Sequence, residues 1–349
     1  MDNQELRKFI GNENLTVSEA MQKIDSNHCG ILFISDSEGK LLGSLSDGDI
    51  RRFLLSGGKM SDSVLFAINK APKAVSSYEC AKDIYHVKYV AAVPIIDSKG
   101  IIIDIYAEGT EKSKSRNKLS IPVVINAGGR GTRLDPFTRV LPKPLIPVGD
   151  LPIIEHIMKE YQAYSCDEFH IIVNYKKALL RAYFAENDNH YNITWYDEEK
   201  PLGTGGGLSL LRGVFNDTFF FANCDALLTA NYESMLKFHK ENGNVITMIC
   251  AYKNMNIPYG VVEIGVNGTI EEMKEKPHMS FLTNTGIYIV EPEVIDDIED
   301  GVPMGFPDII ELERQKGKKV AVFPVSENDW MDMGQLPELE KMRLKLYGE

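Results

Sequence analysis

The chain has 349 residues, 44% of them hydrophobic, and a formal net charge of −12 at pH 7. That length exceeds the usual size of one domain, so two or more are expected. The negative charge excludes broad binding to nucleic acid or to an anionic membrane, both of which rest on summed positive charge, so any anion site must be local.

The five cysteines, Cys29, Cys80, Cys166, Cys224 and Cys250, are scattered and lack Cys-x-x-Cys spacing. They fit reduced thiols better than a disulfide framework or a zinc site. The opening MDNQELRKFI has no apolar signal core and no apolar run approaches membrane-spanning length, which gives the expectation of a soluble cytoplasmic protein.

An internal repeat comes first along the chain. Gly30-Ile31-Leu32-Phe33-Ile34 runs into Asp36-Ser37-Glu38-Gly39 and then Leu41-Leu42, and Ala92-Val93-Pro94-Ile95-Ile96 runs into Asp97-Ser98-Lys99-Gly100 and then Ile101-Ile102-Ile103. Each copy reads as strand, turn and strand. A helix is expected in the first copy, where Ile50, Phe53 and Leu54 recur at helical spacing after Asp49.

Together the two units resemble a pair of CBS domains, modules that commonly bind adenine nucleotides. In the first copy Ser46-Asp47-Gly48-Asp49 matches the family's S/T-x-x-D. The resemblance implies that the Ser46 hydroxyl meets phosphate and the Asp49 carboxylate meets ribose. In the second copy Ala107 and Thr110 stand at those places, so at most one adenine nucleotide per chain is expected, the alternative being a pair kept for dimerisation or packing. Residues 110–120, TEKSKSRNKLS, read as an exposed linker. The organisation expected is a first CBS domain over 1–58, a second over 59–109, the linker over 110–120 and one large domain over 121–349.

The large domain opens with IPVVINAGGRGTRLDPFTRVLPKPLIPVGDLP. Val123, Val124 and Ile125 suit a buried parallel strand, and Gly128, Gly129 and Gly131 let backbone N–H groups close around phosphate. Arg130, Arg133, Arg139 and Lys143 supply cations at the same end of the sheet. The pattern lacks both the G-x-G-x-x-G of dinucleotide folds and the Gly-Lys-Ser/Thr of a P-loop. Beyond it, strand-like and helical runs alternate from 123 to 251, which predicts an α/β, doubly wound, mainly parallel sheet preceded by a smaller α+β CBS pair.

Gly128 to Leu134 followed by Pro142-Lys143-Pro144-Leu145 resembles the signature of the sugar-1-phosphate nucleotidyltransferases. The resemblance implies nucleotide contacts at Ala127, Gly128, Gly129, Gly131 and Thr132, with Arg133 and Lys143 catalytic. Glu198-Glu199-Lys200-Pro201-Leu202-Gly203-Thr204-Gly205-Gly206-Gly207 is similar to the family's P-L-G-T-x-G segment, which lines the nucleoside base, adding Gly203, Thr204 and Gly205. Pyrimidine-using members often carry a glutamine where Gly206 stands here, so a purine donor, GTP, is expected, with CTP, UTP or dTTP as the alternative.

Phe219-Phe220-Phe221-Ala222-Asn223-Cys224-Asp225 and Trp330-Met331-Asp332-Met333-Gly334 match two further segments. They imply that Asp225 and Asp332 hold Mg²⁺, a hard cation that takes carboxylates together with water and phosphate oxygens. Gly260, Glu275, Lys276, Asn284 and Thr285 match the family's sugar-phosphate segments. Implied overall is transfer from an NTP to a sugar 1-phosphate (glucosamine, mannose or similar) in a homo-oligomer. A non-catalytic nucleotide-sensing subunit is the alternative.

Overall fold

The structure, a computed structural model, describes residues 6–27, 29–88, 90–107, 117–186 and 191–348. It has two compact units, Met1–Lys114 with Tyr252–Phe281, and Ser115–Ala251 with Leu282–Glu349. None of the described helices is long and apolar enough to cross a membrane.

The first unit contains β1 (Ile10–Asn12), α1 (Val17–Asn27), β2 (Ile31–Ser35), β3 (Leu41–Ser46), α2 (Asp47–Leu55), α3 (Tyr78–Lys88), β4 (Val93–Ile96) and β5 (Ile102–Tyr106). The repeat read from the sequence reappears as two antiparallel hairpins, β2–β3 and β4–β5. Their turns are built alike. Asp36 Oδ1 accepts from the backbone N–H groups of Glu38 (3.0 Å) and Lys40 (2.9 Å), and Asp97 Oδ1 accepts from those of Lys99 and Ile101 (both 2.9 Å).

Gly39 and Gly100 both take φ +84, where a Cβ would be strained. The two turns also pair reciprocally: Leu41 N donates to Gly100 O and Ile102 N to Gly39 O. The copies are therefore related by a local two-fold exchange of the same bonds. Thr110 and most of the 110–120 linker lie outside the described residues.

The expected boundary at 121 is crossed in one place, because Tyr252–Phe281 clusters with the first unit. Tyr252 packs in a core with Val17, Ile24 and Ile34, and Ser18 Oγ donates to Asn254 Oδ1 at 3.1 Å. The excursion also holds a hairpin of Val261–Ile264 against Ile270–Lys274.

The second unit runs β6 (Val123–Asn126), α4 (Ile153–Gln162), β7 (Glu168–Val173), α5 (Lys177–Ala185), β8 (Asn192–Asp197), β9 (Phe219–Asn223), β10 (Ala226–Leu228), α6 (Tyr232–Asn242), β11 (Ile246–Asn256), β12 (His278–Val290), α7 (Phe306–Gln315), β13 (Val320–Ser326), β14 (Trp330–Asp332) and α8 (Leu336–Tyr347). Its seven-stranded sheet has the order β8-β7-β6-β9-β12-β11-β13. The pairings β8/β7, β7/β6 and β6/β9 are parallel and β9/β12 is antiparallel.

Val123 and Ile125 pack in one core with Ile153, Ile157 and Met158 of α4, while Val124 packs on the other face with Phe221, Tyr288 and Phe306. A strand covered on both faces has no polar side to alternate with, hence the unbroken apolar run. Chain order reverses at β6: β7 and β8 follow on one side, β9 on the other. In open α/β sheets the crevice beyond the carboxyl ends at such a reversal is where ligands bind.

Candidate active site

A cavity of about 410 Å³ opens there, walled by both glycine segments, Arg133, Lys143, Glu198, Asn223 and Asp225 among others. Each wall has a local cause. After β6 the chain turns through residues 127–131, and Gly131 takes φ +64 with its Cα pressed close: a Cβ there would sit 3.0 Å from Thr138 Cγ2 and 3.1 Å from Lys143 Cβ. Only glycine combines that backbone with that closeness. At Gly129 a Cβ would meet nothing within 4 Å, so its value is an open backbone facing the cavity.

Asn126, the last residue of β6, ties this wall to the second glycine segment by donating from Nδ2 to Gly203 O (3.2 Å) and Thr204 O (3.1 Å). Gly203 has φ +82, and a Cβ on it would lie 2.6 Å from Met304 O. Thr204 Oγ1 accepts the Phe306 N–H at the start of α7, 3.0 Å away.

Asp225 lies two residues beyond β9 and directly before β10, and Asp332 closes β14. The small antiparallel ladder of β10 with β14 pairs Ala226 with Asp332 and Leu227 with Met331, which sets the two aspartates side by side. Burial, and then the Asp225 charge, push the Asp332 carboxyl up to about 6 against the pull of Lys143 and Arg133. Gly334 is needed beside it, since a Cβ there would lie 2.6 Å from Asp332 Oδ2.

Lys143, 8% exposed, forms an ion pair with Asp225. Cys224 also lines the cavity, and burial holds its thiol up at about 12, so it stays neutral. Two neighbouring carboxylates suit a hard divalent cation such as Mg²⁺, which completes its shell with water and phosphate oxygens. Among the described residues no cluster of three or more His, Cys, Asp or Glu forms a fuller metal cage.

Not every expected residue faces the cavity. Ala127 is 2% exposed and belongs to the core. Arg139 pairs with Asp135 at 3.1 Å, so the cations at this edge are Arg133 and Lys143 in the cavity wall and Arg130 exposed nearby. Gly205 packs against α7, where a Cβ would come within 3.0 Å of the Phe306 backbone. Gly206 faces Val302, whose carbonyl oxygen would be 2.6 Å from a Cβ, so its lack of a side chain leaves no extra room for a base. The expectation of a purine drawn from Gly206 loses its physical reason.

Of the sugar-phosphate set, Gly260, Glu275 and Lys276 lie in the first unit. Gly260 and Glu275 are brought together, with Glu275 Oε2 3.0 Å from a Cβ on Gly260. Thr285 is 3% exposed and its hydroxyl donates to Ile249 O at 2.8 Å. Asn284 donates to the Tyr288 hydroxyl at 2.6 Å.

In the first unit Ser46 and Asp49 engage each other. Ser46 is the N-cap of α2, its backbone N and Oγ donate to Asp49 Oδ2 (2.9 and 2.5 Å), and Asp49 N donates back to Ser46 Oγ (3.3 Å). The S-x-x-D read from the sequence is thus a capping box. Residues to which the sequence alone assigns no role are Asn126, Asn223 and Glu198, all in the cavity wall. The asparagines end two paired strands, a position detectable only once β6 and β9 are known to be neighbours.

Residues 122–347 match the nucleotidyl transferase family model, and residues 12–56 match the CBS domain model. The chain belongs to the nucleotidyl transferase family and carries a CBS domain ahead of the transferase fold. It is similar to the mannose-1-phosphate guanyltransferase of Schizosaccharomyces pombe, 34% identical over 232 residues, 61% of this chain and 60% of that protein. It is also similar to the UTP–glucose-1-phosphate uridylyltransferase of Synechocystis sp., 30% identical over 240 residues, 62% of this chain and 60% of that protein. The chain therefore spans about 60% of the length of these curated relatives. Among solved structures the HddC protein of Yersinia pseudotuberculosis complexed with GMP-PN shares the fold, with TM-score 0.51 and 20% identity over 64% of this chain and 99% of that one.

Proposed function

We propose that the chain transfers a nucleotidyl group from an NTP, with GTP preferred, to a sugar 1-phosphate, releasing pyrophosphate and an NDP-sugar. The observation that carries this reading is that Arg133, Lys143 and Asp225 line one cavity at the sheet's reversal point, with Asp332 held next to Asp225 by the Ala226–Asp332 register and within reach of the Arg133 and Lys143 charges. Those are the groups a polyanionic reaction needs, and a regulatory subunit would not need all four. Guanylyl transfer is the activity named for the S. pombe relative and uridylyl transfer for the Synechocystis one, so the donor is decided by this chain's own residues.

In the proposed step an oxygen of the sugar phosphate forms a bond to the α-phosphorus as the bond to the β-bridging oxygen breaks. The electron pair leaves with pyrophosphate. A phosphate monoester is already largely dianionic near neutral pH, so no side-chain base is required. Catalysis reduces to holding two anions in line and neutralising the charge that builds up between them.

The loop 128–133 would cradle the triphosphate with backbone N–H groups and the Arg133 guanidinium. Lys143 would follow the α-phosphate, and Asp225 and Asp332 would hold Mg²⁺, which when bound supplies positive charge to the phosphates. Asn284, in the second unit, is proposed for the sugar phosphate. Ser46 and Asp49 are proposed to receive an adenine nucleotide on exchanging their mutual bonds for phosphate and ribose, in a homo-oligomeric cytoplasmic enzyme.

Assaying GTP, UTP, CTP and dTTP against mannose, glucosamine and heptose 1-phosphates by pyrophosphate release tests the reaction. Activity with no pair overturns it, and a kcat/KM tenfold higher for a pyrimidine nucleotide, about 1.4 kcal/mol, overturns the donor.

A further inference from the structure

Between the phosphate loop and Lys143 lies a four-residue helix, Phe137–Val140, that apolar burial does not hold in place. Phe137 is 44% and Val140 70% exposed, and Arg139 is exposed beside Asp135, so Thr138 alone is buried. A helix this short also leaves its last carbonyls without internal donors.

Those donors come from the residues just after β7. The Tyr175 hydroxyl donates to Thr138 O at 3.2 Å, and Lys176 Nζ donates to Arg139 O at 2.9 Å and to Val140 O at 3.1 Å. Lys176 stands at φ +52, a left-handed conformation that costs a residue with a Cβ and persists where its surroundings over-determine it. The strained residue is the one whose ammonium caps the helix.

The same corner reaches the phosphate loop. Tyr175 N donates to Gly128 O at 3.4 Å, at the loop's start. At its far side the Thr138 hydroxyl proton is shared between Asp135 Oδ1 (2.8 Å) and Gly131 O (3.1 Å), and Leu134 N also donates to Gly131 O (2.9 Å). The carbonyls of Gly128 and Gly131 are thereby engaged by the protein, which leaves the loop to present N–H groups to an anion. A carbonyl swung into the cavity would repel phosphate instead. Lys143 follows soon after Val140 and packs over Gly131, so a shift of the helix moves both phosphate contacts together.

We propose that Tyr175 and Lys176 are positioning residues for the triphosphate: they clamp the helix Phe137–Val140, and through Thr138 they hold the phosphate loop in the shape that receives an anion. This rests on the nucleotidyl-transfer reading. Both side chains act through the helix, not on the substrate.

The test is calorimetric binding of GTP against GMP, and of UTP against UMP, to the full chain and to Tyr175→Phe, Lys176→Met and Lys176→Arg, with Mg²⁺ and without sugar phosphate. Comparing triphosphate with monophosphate isolates what the loop contributes, whichever base the site prefers. In the wild type the triphosphate of the preferred base should bind at least about tenfold tighter than its monophosphate, since the added phosphates meet N–H groups and cations. That ratio should fall about threefold in Tyr175→Phe and about tenfold in Lys176→Met, in line with losing one neutral and two charged hydrogen bonds. It should return in Lys176→Arg, whose guanidinium can span both carbonyls, and KM for the sugar 1-phosphate should not move.

Tyr175→Phe changes no charge, so a fall there reports position. An unchanged ratio in Tyr175→Phe overturns the clamp whether or not Lys176→Met folds, because a fall confined to the lysine variant is a through-space effect of the lost charge. Lower melting at an unchanged ratio overturns it too, being all that a purely structural role gives. If pyrophosphate is still released in those cases, the transfer reading stands. A wild type that binds triphosphate no tighter than monophosphate overturns the clamp and the transfer reading together.

Discussion

Lys143 and Asp225, 82 positions apart, form an ion pair in the cavity wall with side chains only 11% and 14% exposed. The pair couples the loop after β6 to the end of β9, across the point where the sheet reverses. It also gives the half-buried acidic pair its compensating cation before any ligand arrives, and Lys143 draws the Asp332 carboxyl down against burial and the Asp225 charge.

Lys143→Ala should lower turnover by about 10²-fold or more, because the lost charge matters most as the α-phosphate becomes pentacoordinate. The ligand-free protein should also melt lower, since removing one partner strands a buried charge. Steady-state kinetics with a melting curve checks both. Turnover within a few-fold of wild type contradicts the role.

Asp225→Asn and Asp332→Asn should each abolish Mg²⁺-dependent turnover. They should also remove the rise in melting temperature that Mg²⁺ gives the wild type, because a metal bound only by the folded state stabilises by mass action. A full Mg²⁺-induced shift in either variant contradicts the shared site.

Much of this site was legible in the sequence because its signals are local. Gly128 to Arg133 and Lys143 lie within sixteen positions of one another, and the apolar 123–125 before them could only be a covered strand. Asp225 and Asp332 lie far apart and were reached through resemblance to the family. What unites them physically, the Ala226–Asp332 register of a ladder three residue pairs long, has no sequence signature. Glu198 heads the second glycine segment, but only tertiary packing against Gly128 and Gly207 makes it a buried acceptor. Gly206 misled because a missing side chain does not say which way it would have pointed. The excursion 252–281 carries ordinary strand signals, and its membership in the first unit is decided by packing around Tyr252.

Glu198 also gives a pH dependence of stability. Its carboxyl lies at about 7 in the folded state against 4.5 ordinarily, so between those values the folded protein holds more protons than the unfolded one and stability falls as pH rises. Glu198→Gln removes that loss. Without ligand it should melt a few degrees above wild type at pH 8, on the order of what a change of one to two kcal/mol gives a domain this size, and level with it near pH 4. Equal melting at both pH values contradicts a strained carboxylate.

Asp49→Ala should destabilise the first unit by about 1 kcal/mol with no nucleotide present, because it dismantles the capping box with Ser46. Chemical denaturation followed with and without adenine nucleotide separates this from ligand binding. Unchanged ligand-free stability contradicts the structural role of Asp49.

The most direct measurement of the central claim is phosphorus NMR of the full chain incubated with Mg²⁺, GTP and mannose 1-phosphate. Nucleotidyl transfer requires the two coupled resonances of a new diphosphate diester to grow in equal amount with pyrophosphate, and the growth to vanish in Lys143→Ala. GTP converted only to GDP and inorganic phosphate, or growth of the diester undiminished in Lys143→Ala, would contradict it.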